Sequence, residues 1–294
     1  MKPLLKWPGG KRWLAPTIGR LAALVRYERY VEPFVGGGAV FFLLQPSRAL
    51  ISDVNVDLIT TYRAVRESSA ELTRRLRNMS VSKSVFLRVR ASKPRTAITV
   101  ATRFIYLNRT AFNGIYRVNR RGEFNVPFGY RKSTTPCDAD AIASVSRLLR
   151  GVSIACADFT RVCDGASADD LVYFDPPYTV AHNNNGFRRY NEKIFTWNDQ
   201  VALSKHANRL VERGAHVILS NAWHADIRRL YRQDSFHAFK LARMSRVAAS
   251  SASRGTADEL LLVSRSFGSS NRILAVISSA LSGVAPTTIG RRST

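Results

Sequence analysis

Cysteine is almost missing from this chain: Cys137, Cys156 and Cys163 are the only three in 294 residues. They show no metal-ligand spacing and form no even framework, so they read as small buried or half-buried residues. The five histidines are scattered, with no HxH or HExxH pair, and no metal site is expected from them. Long apolar runs are missing too. "ILAVI", within Ile273 to Leu281, is far too short to cross a bilayer. The start, "MKPLLKWPGGKRW", has a Pro and a Gly pair where a signal peptide carries a continuous apolar segment. No membrane partner and a cytoplasmic setting are expected.

Acids are the other scarce class. There are 21 against 45 Lys and Arg, a formal charge of +24, which favours a polyanionic partner through phosphate contacts and counterion release. Arginine-rich genome composition can raise such a total, so its distribution matters more. From Arg74 to Lys132 fifteen basic residues face one acid, Glu123. Codon bias spreads charge and does not remove acids, so this segment is expected to face nucleic acid. Hydrophobic content of 45% leaves ample material for a core.

Along the chain, apolar β-rich runs alternate with helical patterns. "RYVEPFVGGGAVFFLL" reads as strand, glycine loop and helix. "ALISDVNVDLI" repeats the pattern, with a strand ending at Asp53 and Asn55 placed to cap the next helix. "VSIACADF", "DLVYFDPPY", "AHVILSN" and a final "DELLLVSRSF" are further strands. This alternation predicts an α/β fold with a mostly parallel, doubly wound sheet. Residues from about 60 to 136 break the rhythm: two helical patterns lead into the long loop "NRTAFNGIYRVNRRGEFNVPFGYRK", a length that usually marks function. The predicted division is a main α/β domain in two parts, 1–60 and 137–267, an inserted and mostly helical domain on the basic segment at 61–136, and a loosely attached tail at 268–294. "SRVAASSASRGT", after Met244, is expected to be mobile.

The glycine loop alone is ambiguous between binding a phosphate, a carboxylate or a nucleoside edge and forming a tight turn. No Walker Lys-Ser/Thr pair follows it. Asp53, at the next strand end, is the residue type and topological place for a ribose hydrogen bond, with helix capping as the plain alternative. "DPPY" is more specific. If a planar amine enters, Asp175 can accept one of its hydrogens and the carbonyl of Pro176 or Pro177 the other. Proline holds that carbonyl rigidly and removes a competing N–H. Tyr178 can stack on a base. Two acceptors on one amino group draw its lone pair out of conjugation, which suits attack on an electrophile aligned behind it. Adenine, cytosine and glutamine amines all remain open to such a pocket.

With these motifs together, the sequence resembles the S-adenosylmethionine-dependent DNA adenine methyltransferases of the Dam type, the D12 class, from about Lys6 to Phe267. The matching stretches are "LKWPGGK", "VEPFVGGGAVF", "SDVN", "YLNRTAFNGIYRVNRRGEFNVPFG" and "DPPY". The resemblance implies a Rossmann-like methyltransferase fold. It implies that Trp7, Lys11, Glu32, Phe34, Gly36, Gly38, Asp53, Asp158, Phe159 and Asp175 serve the cofactor, S-adenosylmethionine. Asp175, Pro176, Pro177 and Tyr178 are the implied catalytic group. Lys6, Arg109, Phe112, Asn113, Arg117, Asn119, Arg120 and Pro127 are implied to meet DNA. Arg117 matches the arginine that reads guanine in enzymes methylating GATC. Phe112 falls where relatives often carry Tyr at a base-stacking site.

The expected activity is transfer of a methyl group to the exocyclic amine of adenine in duplex DNA, at GATC or a related site, on a base flipped into the DPPY pocket. Cytosine N4 methylation and a DNA-binding relative without catalysis are the alternatives. A monomer acting on double-stranded DNA is expected. A bacterial or phage origin, with a cognate restriction endonuclease as a functional rather than physical partner, is one setting these motifs allow.

Overall fold

Apolar runs become strands where they were expected. A computed structural model describes residues 1–119, 121–130, 135–178, 195–244, 256–281 and 287–288. Its strands are β1 (Arg29–Glu32), β2 (Ala49–Asp53), β3 (Val152–Cys156), β4 (Asp170–Phe174), β5 (His216–Ala222), β6 (Phe236–Met244), β7 (Thr256–Ser264) and β8 (Thr287–Thr288). Its α-helices are α1 (Ala15–Ala22), α2 (Ala39–Leu44), α3 (Val56–Arg77), α4 (Lys83–Ala91), α5 (Ala97–Thr110), α6 (Ala139–Leu149), α7 (Phe159–Asp164), α8 (Trp197–Glu212), α9 (Ala225–Arg229) and α10 (Ser270–Ala280). The chain divides into two compact units. One comprises Met1–Trp13 with Val35–Ala157, the other Leu14–Phe34 with Asp158–Thr294.

In the first unit β2 and β3 pair in parallel, from Ala49 opposite Val152 to Asp53 opposite Cys156. The long helix α3 starts where its sequence allows: the Asn55 side chain accepts a hydrogen bond from the Leu58 amide at 3.0 Å. It buries Leu58, Ile59, Tyr62, Val65, Leu72 and Leu76 along one side and packs on α5 and α6. A non-helical Ser68 marks a kink in its middle. Helix α5 begins with a reciprocal capping box between Thr96 and Thr99.

The second unit carries the order β1-β4-β5-β7-β6-β8. The pairs β1–β4 and β4–β5 are parallel, and the remaining three are antiparallel. All five residues of β4 are buried, as a strand covered on both faces requires. Its first residue is an acid, made tolerable by a two-pronged bond. Arg29 Nε and Nη2 reach Asp170 Oδ1 and Oδ2 at 3.1 and 2.7 Å across the β1–β4 register. The fold class is the expected one, mixed α/β with a mostly parallel sheet consistent with a Rossmann-like methyltransferase.

Two elements differ from expectation. Strand β6 was not foreseen. Its inward positions, Phe239 and Leu241, are fully buried, but Lys240 and Arg243 interrupt the apolar pattern that would have announced it. Residues from Gly268 onward, expected as a loosely attached tail, include the 11-residue helix α10, which Ser269 caps. Ile273 and Ile277, one turn apart, are buried on it, and Arg20 of α1 donates to Ser279 at 3.0 Å. The Ser-rich stretch after Met244 lies outside the described residues, as does Arg120.

The α10 contact gives a stability test. Ile277→Ala should cost about 2–5 kcal/mol in equilibrium denaturation, whereas Ser278→Ala, on the exposed side, should be nearly neutral. Equal midpoints for both variants would show that α10 contributes no packing.

Candidate active site

In the second unit the chemistry gathers just past the C-terminal ends of parallel strands, the usual ligand side of such sheets. The Asp175 carboxyl follows β4 directly, and Oδ1 accepts the Ser220 hydroxyl of β5 at 2.8 Å. The Tyr173 and Ser220 hydroxyl oxygens lie 2.9 Å apart. The Tyr178 hydroxyl donates to Glu259 Oε2 of β7 at 3.0 Å. Burial, then the nearby Asp175 and Glu259 carboxyls, pushes the Tyr178 phenol well above its ordinary value, so it stays neutral. Glu32, which ends β1, is buried and accepts the Tyr30 hydroxyl at 2.9 Å. Phe34 stacks with Phe159 at 5.5 Å and meets Phe174 and Phe195 edge-on. Asp158 stands exposed beside this cluster and caps α7 through the Thr160 amide.

In the first unit the glycine loop is built against one indole. Gly36 and Gly38 have φ of +45° and +67°. A Cβ on Gly36 would lie 2.7 Å from Trp7 Cδ1, and one on Gly37 would lie 3.0 Å from Trp7 Cβ. Only glycine allows both the backbone turn and that approach. Asp53 closes the loop from the other side: Oδ2 accepts the Gly36 amide at 3.1 Å and Oδ1 the Asn55 amide at 2.9 Å. Burial raises the Asp53 carboxyl above its ordinary value, against those amide bonds, which lower it. The Lys11 ammonium is buried and donates to the Gly9 carbonyl at 3.3 Å.

Trp7 also stacks on Tyr116, at 5.4 Å and 12°, and Tyr116 stacks on Phe104 at 4.6 Å. The segment packed on the glycine loop and the long loop of the sequence therefore share an aromatic stack. A second tie is Asn108, buried on α5. Its Oδ1 accepts the Lys6 amide at 2.9 Å, and its Nδ2 donates to the Lys6 carbonyl at 2.8 Å and to the Gly114 carbonyl at 3.3 Å. The exposed Lys6 is thus held from its backbone.

Among the described residues, the long loop of the sequence folds back as a hairpin. Ala111 bridges Phe128 and Val118 bridges Phe124, while the Phe112 amide donates to the Pro127 carbonyl and the Asn119 amide to the Glu123 carbonyl. Phe124 and Val126 are buried as anchors. Asn119 builds the tip: its Oδ1 accepts the Arg121 and Glu123 amides and its Nδ2 donates to the Glu123 carboxyl. Phe112, Asn113, Arg117 and Pro127 are exposed along the hairpin, with Arg117 Nε donating to Asn125 Oδ1 at 2.9 Å. Arg109 Nε donates to the Thr135 carbonyl at 3.0 Å.

Ser220, Glu259, Asn108 and Tyr116 were not foreseen as site residues. The available signal was a polar residue inside an apolar run, as in "VILSN" and "DELLL". The loop–indole packing is testable. Gly36→Ala should lose about 2–4 kcal/mol from left-handed backbone and overpacking together, with a changed Trp fluorescence. A denaturation midpoint equal to wild type would refute the close approach.

Comparison with known proteins agrees with this geometry. Residues 7–247 match the family model of the D12 class N6 adenine-specific DNA methyltransferases. The chain is 35% identical over 272 residues to the type II methyltransferase M1.LlaDCHI of Lactococcus lactis subsp. cremoris, covering 89% of this chain and 95% of that protein. It is 34% identical over 267 residues to the DNA adenine methylase of Escherichia coli K12, covering 88% and 94%. The DNA adenine methylase of Vibrio cholerae is 33% identical over 268 residues, covering 88% and 95%. A family match over most of the chain, joined to an anchored DPPY acid at a strand end, places this protein among the D12 class N6 adenine-specific DNA methyltransferases.

Proposed function

We propose that this adenine DNA methyltransferase takes its methyl group from S-adenosylmethionine and acts on an adenine flipped out of duplex DNA, at GATC or a related site. The observation that carries the reading is the DPPY end of β4, with Asp175 anchored at one oxygen and Tyr178 at its hydroxyl. The cofactor fits the residues present. Asp53 offers a carboxyl to a ribose, Gly36 and Gly38 keep the loop backbone beside it free of side chains, and Phe34 stacks on Phe159 next to the exposed Asp158. Trp7, Lys11, Glu32 and Gly38 complete the proposed cofactor set. The cofactor supplies an electrophilic methyl on a sulfonium.

Asp175 accepts one N–H of the adenine amine, and the Pro176 or Pro177 carbonyl accepts the other. The lone pair on nitrogen is thereby freed for attack; the bound cofactor would supply the methyl group, with its sulfonium sulfur as the leaving group. The resulting ammonium gives its extra proton to the Asp175 carboxylate. The Tyr178 ring stacks on the base, neutral and oriented by Glu259. Lys6, Phe112, Asn113, Arg117, Asn119 and Pro127 meet the duplex, Arg117 bridging the two major-groove acceptors of a guanine. Arg109 and Arg120 join them as phosphate contacts. In this reading 61–136 is a DNA-recognition insert between catalytic parts 1–60 and 137–267. The protein works as a cytoplasmic monomer, and a cognate restriction endonuclease is a functional partner.

Two experiments test this. Asp175→Ala should abolish transfer of label from the cofactor to duplex DNA while DNA binding survives, and digestion of wild-type product should yield N6-methyladenine at GATC. Label reaching DNA at the wild-type rate in the variant, or a methylated cytosine, would overturn it. The second concerns Asp53. Its raised carboxyl protonates at a higher pH than an ordinary acid, so its ribose acceptor is present at neutral pH and lost as pH falls, beginning above the usual carboxylate range. Titration calorimetry should show S-adenosylmethionine affinity falling on that acid limb. Asp53→Asn should bind about 10- to 100-fold more weakly without the limb, and an identical limb in the variant would sink the assignment.

A further inference from the structure

We infer that Ser220 is a positioning residue for methyl transfer, orienting the Asp175 carboxylate through a two-step hydroxyl chain that starts at Tyr173. The inference rests on the reading of Asp175 as the group that holds the target amine.

The direction of the chain follows from counting hydrogens. Ser220 has one hydroxyl proton and two acceptors within reach, Asp175 Oδ1 at 2.8 Å and the Phe174 carbonyl at 3.4 Å. The shorter bond to a carboxylate wins. Ser220 then has no proton left for Tyr173, so the 2.9 Å contact must run from the Tyr173 hydroxyl to Ser220 Oγ. Tyr173 keeps the proton this requires, because burial and then the nearby Asp175 push its phenol well above the ordinary value. Both hydroxyl residues are buried within adjacent strands, Tyr173 in β4 and Ser220 in β5. Neither can swing away without breaking sheet packing.

The consequence falls on the catalytic geometry. With Oδ1 anchored, rotation about the Asp175 Cβ–Cγ bond is stopped, and the direction presented by Oδ2 is set. Substrate alignment is sensitive to small misplacements of such a group. The chain ends on a rigid strand and not on a loop, so the carboxylate is oriented before substrate arrives.

Single-turnover methyl transfer to duplex DNA, with separate titrations of DNA and S-adenosylmethionine, tests this on the full-length protein. Ser220→Ala should transfer about 10- to 100-fold more slowly, with both dissociation constants within about twofold of wild type. Ser220→Cys, which fills the volume with a weak donor, should resemble it, whereas Ser220→Thr, which keeps the hydroxyl, should recover most of the rate. Tyr173→Phe, which leaves the serine bond but removes its support, should slow transfer about 3- to 10-fold, and it carries the test should Ser220→Ala not fold. Wild-type transfer by Ser220→Ala beside an inactive Asp175→Ala would remove the positioning role alone. Equal slowing in Ala, Cys and Thr variants would mark a packing effect and remove it as well. Wild-type transfer by Asp175→Ala would instead remove the reading of Asp175, and the positioning role with it.

Discussion

A carboxyl that this fold brings inside needs a donor, and that constraint shapes the acids described in each of the two units. A carboxyl taken from water without hydrogen bonds costs several kcal/mol. Asp170 is met by a two-pronged arginine, Glu32 by Tyr30, Asp175 by Ser220, Glu259 by Tyr178, and Asp53 by two backbone amides. The donors differ in what they permit. A guanidinium at the foot of β4 neutralises Asp170 and pins the register of two strands. Hydroxyls and amides, in contrast, orient an acid without adding charge. The acids assigned to chemistry are held in this second way, at the strand ends where ligands enter α/β sheets.

The same requirement accounts for the hairpin. A long loop with its backbone groups unpaired would have no fixed surface to offer a base edge. Here its amides and carbonyls pair across the hairpin, Asn119 satisfies the tip, and Phe124 and Val126 sink into the unit. Asn108 then ties the hairpin to the chain around Lys6 with three bonds, and the Trp7–Tyr116 stack ties it to the glycine loop. Within this unit the hairpin and the glycine loop cannot shift independently. Arg117 gains a defined direction from Asn125, at the cost of long-side-chain freedom that recognition would otherwise spend at binding.

What was legible in the sequence was whatever repeats locally. Strands β1 to β5 and β7, the Asn55 cap and the glycine loop follow from apolar periodicity and turn chemistry over a few residues. Strand β6 was hidden because Lys240 sits between its buried Phe239 and Leu241, and α10 because its short run "ILAVI" lies in a serine-rich stretch and buries only Ile273 and Ile277. The site divides in the same way. Asp53, Asp175 and Arg117 sit in motifs that can be read as they stand. Ser220 and Glu259 are 45 and 81 residues from the groups they hold, and Asn108 is 102 from Lys6, so their roles exist only once the sheet and helices are assembled.

On the proposed reading, the DPPY end of β4 by itself recognises an amine and not a base. Two rigid acceptors, one carboxylate oxygen and one proline carbonyl, suit the exocyclic nitrogen of adenine or of cytosine equally, and an aromatic ring stacks on either. Anchoring Asp175 through Ser220 sharpens the geometry of transfer without adding discrimination between them. On the proposed reading, discrimination therefore has to arise before the amine reaches the acid, at the hairpin that chooses which nucleotide is presented. That separation explains why the basic charge is concentrated on Arg74 to Lys132 while the strand ends rely on hydroxyls and amides. Long-range attraction and base readout need exposed cations, whereas a group that must accept a hydrogen bond from a neutral amine is best oriented by donors that leave its own charge in place.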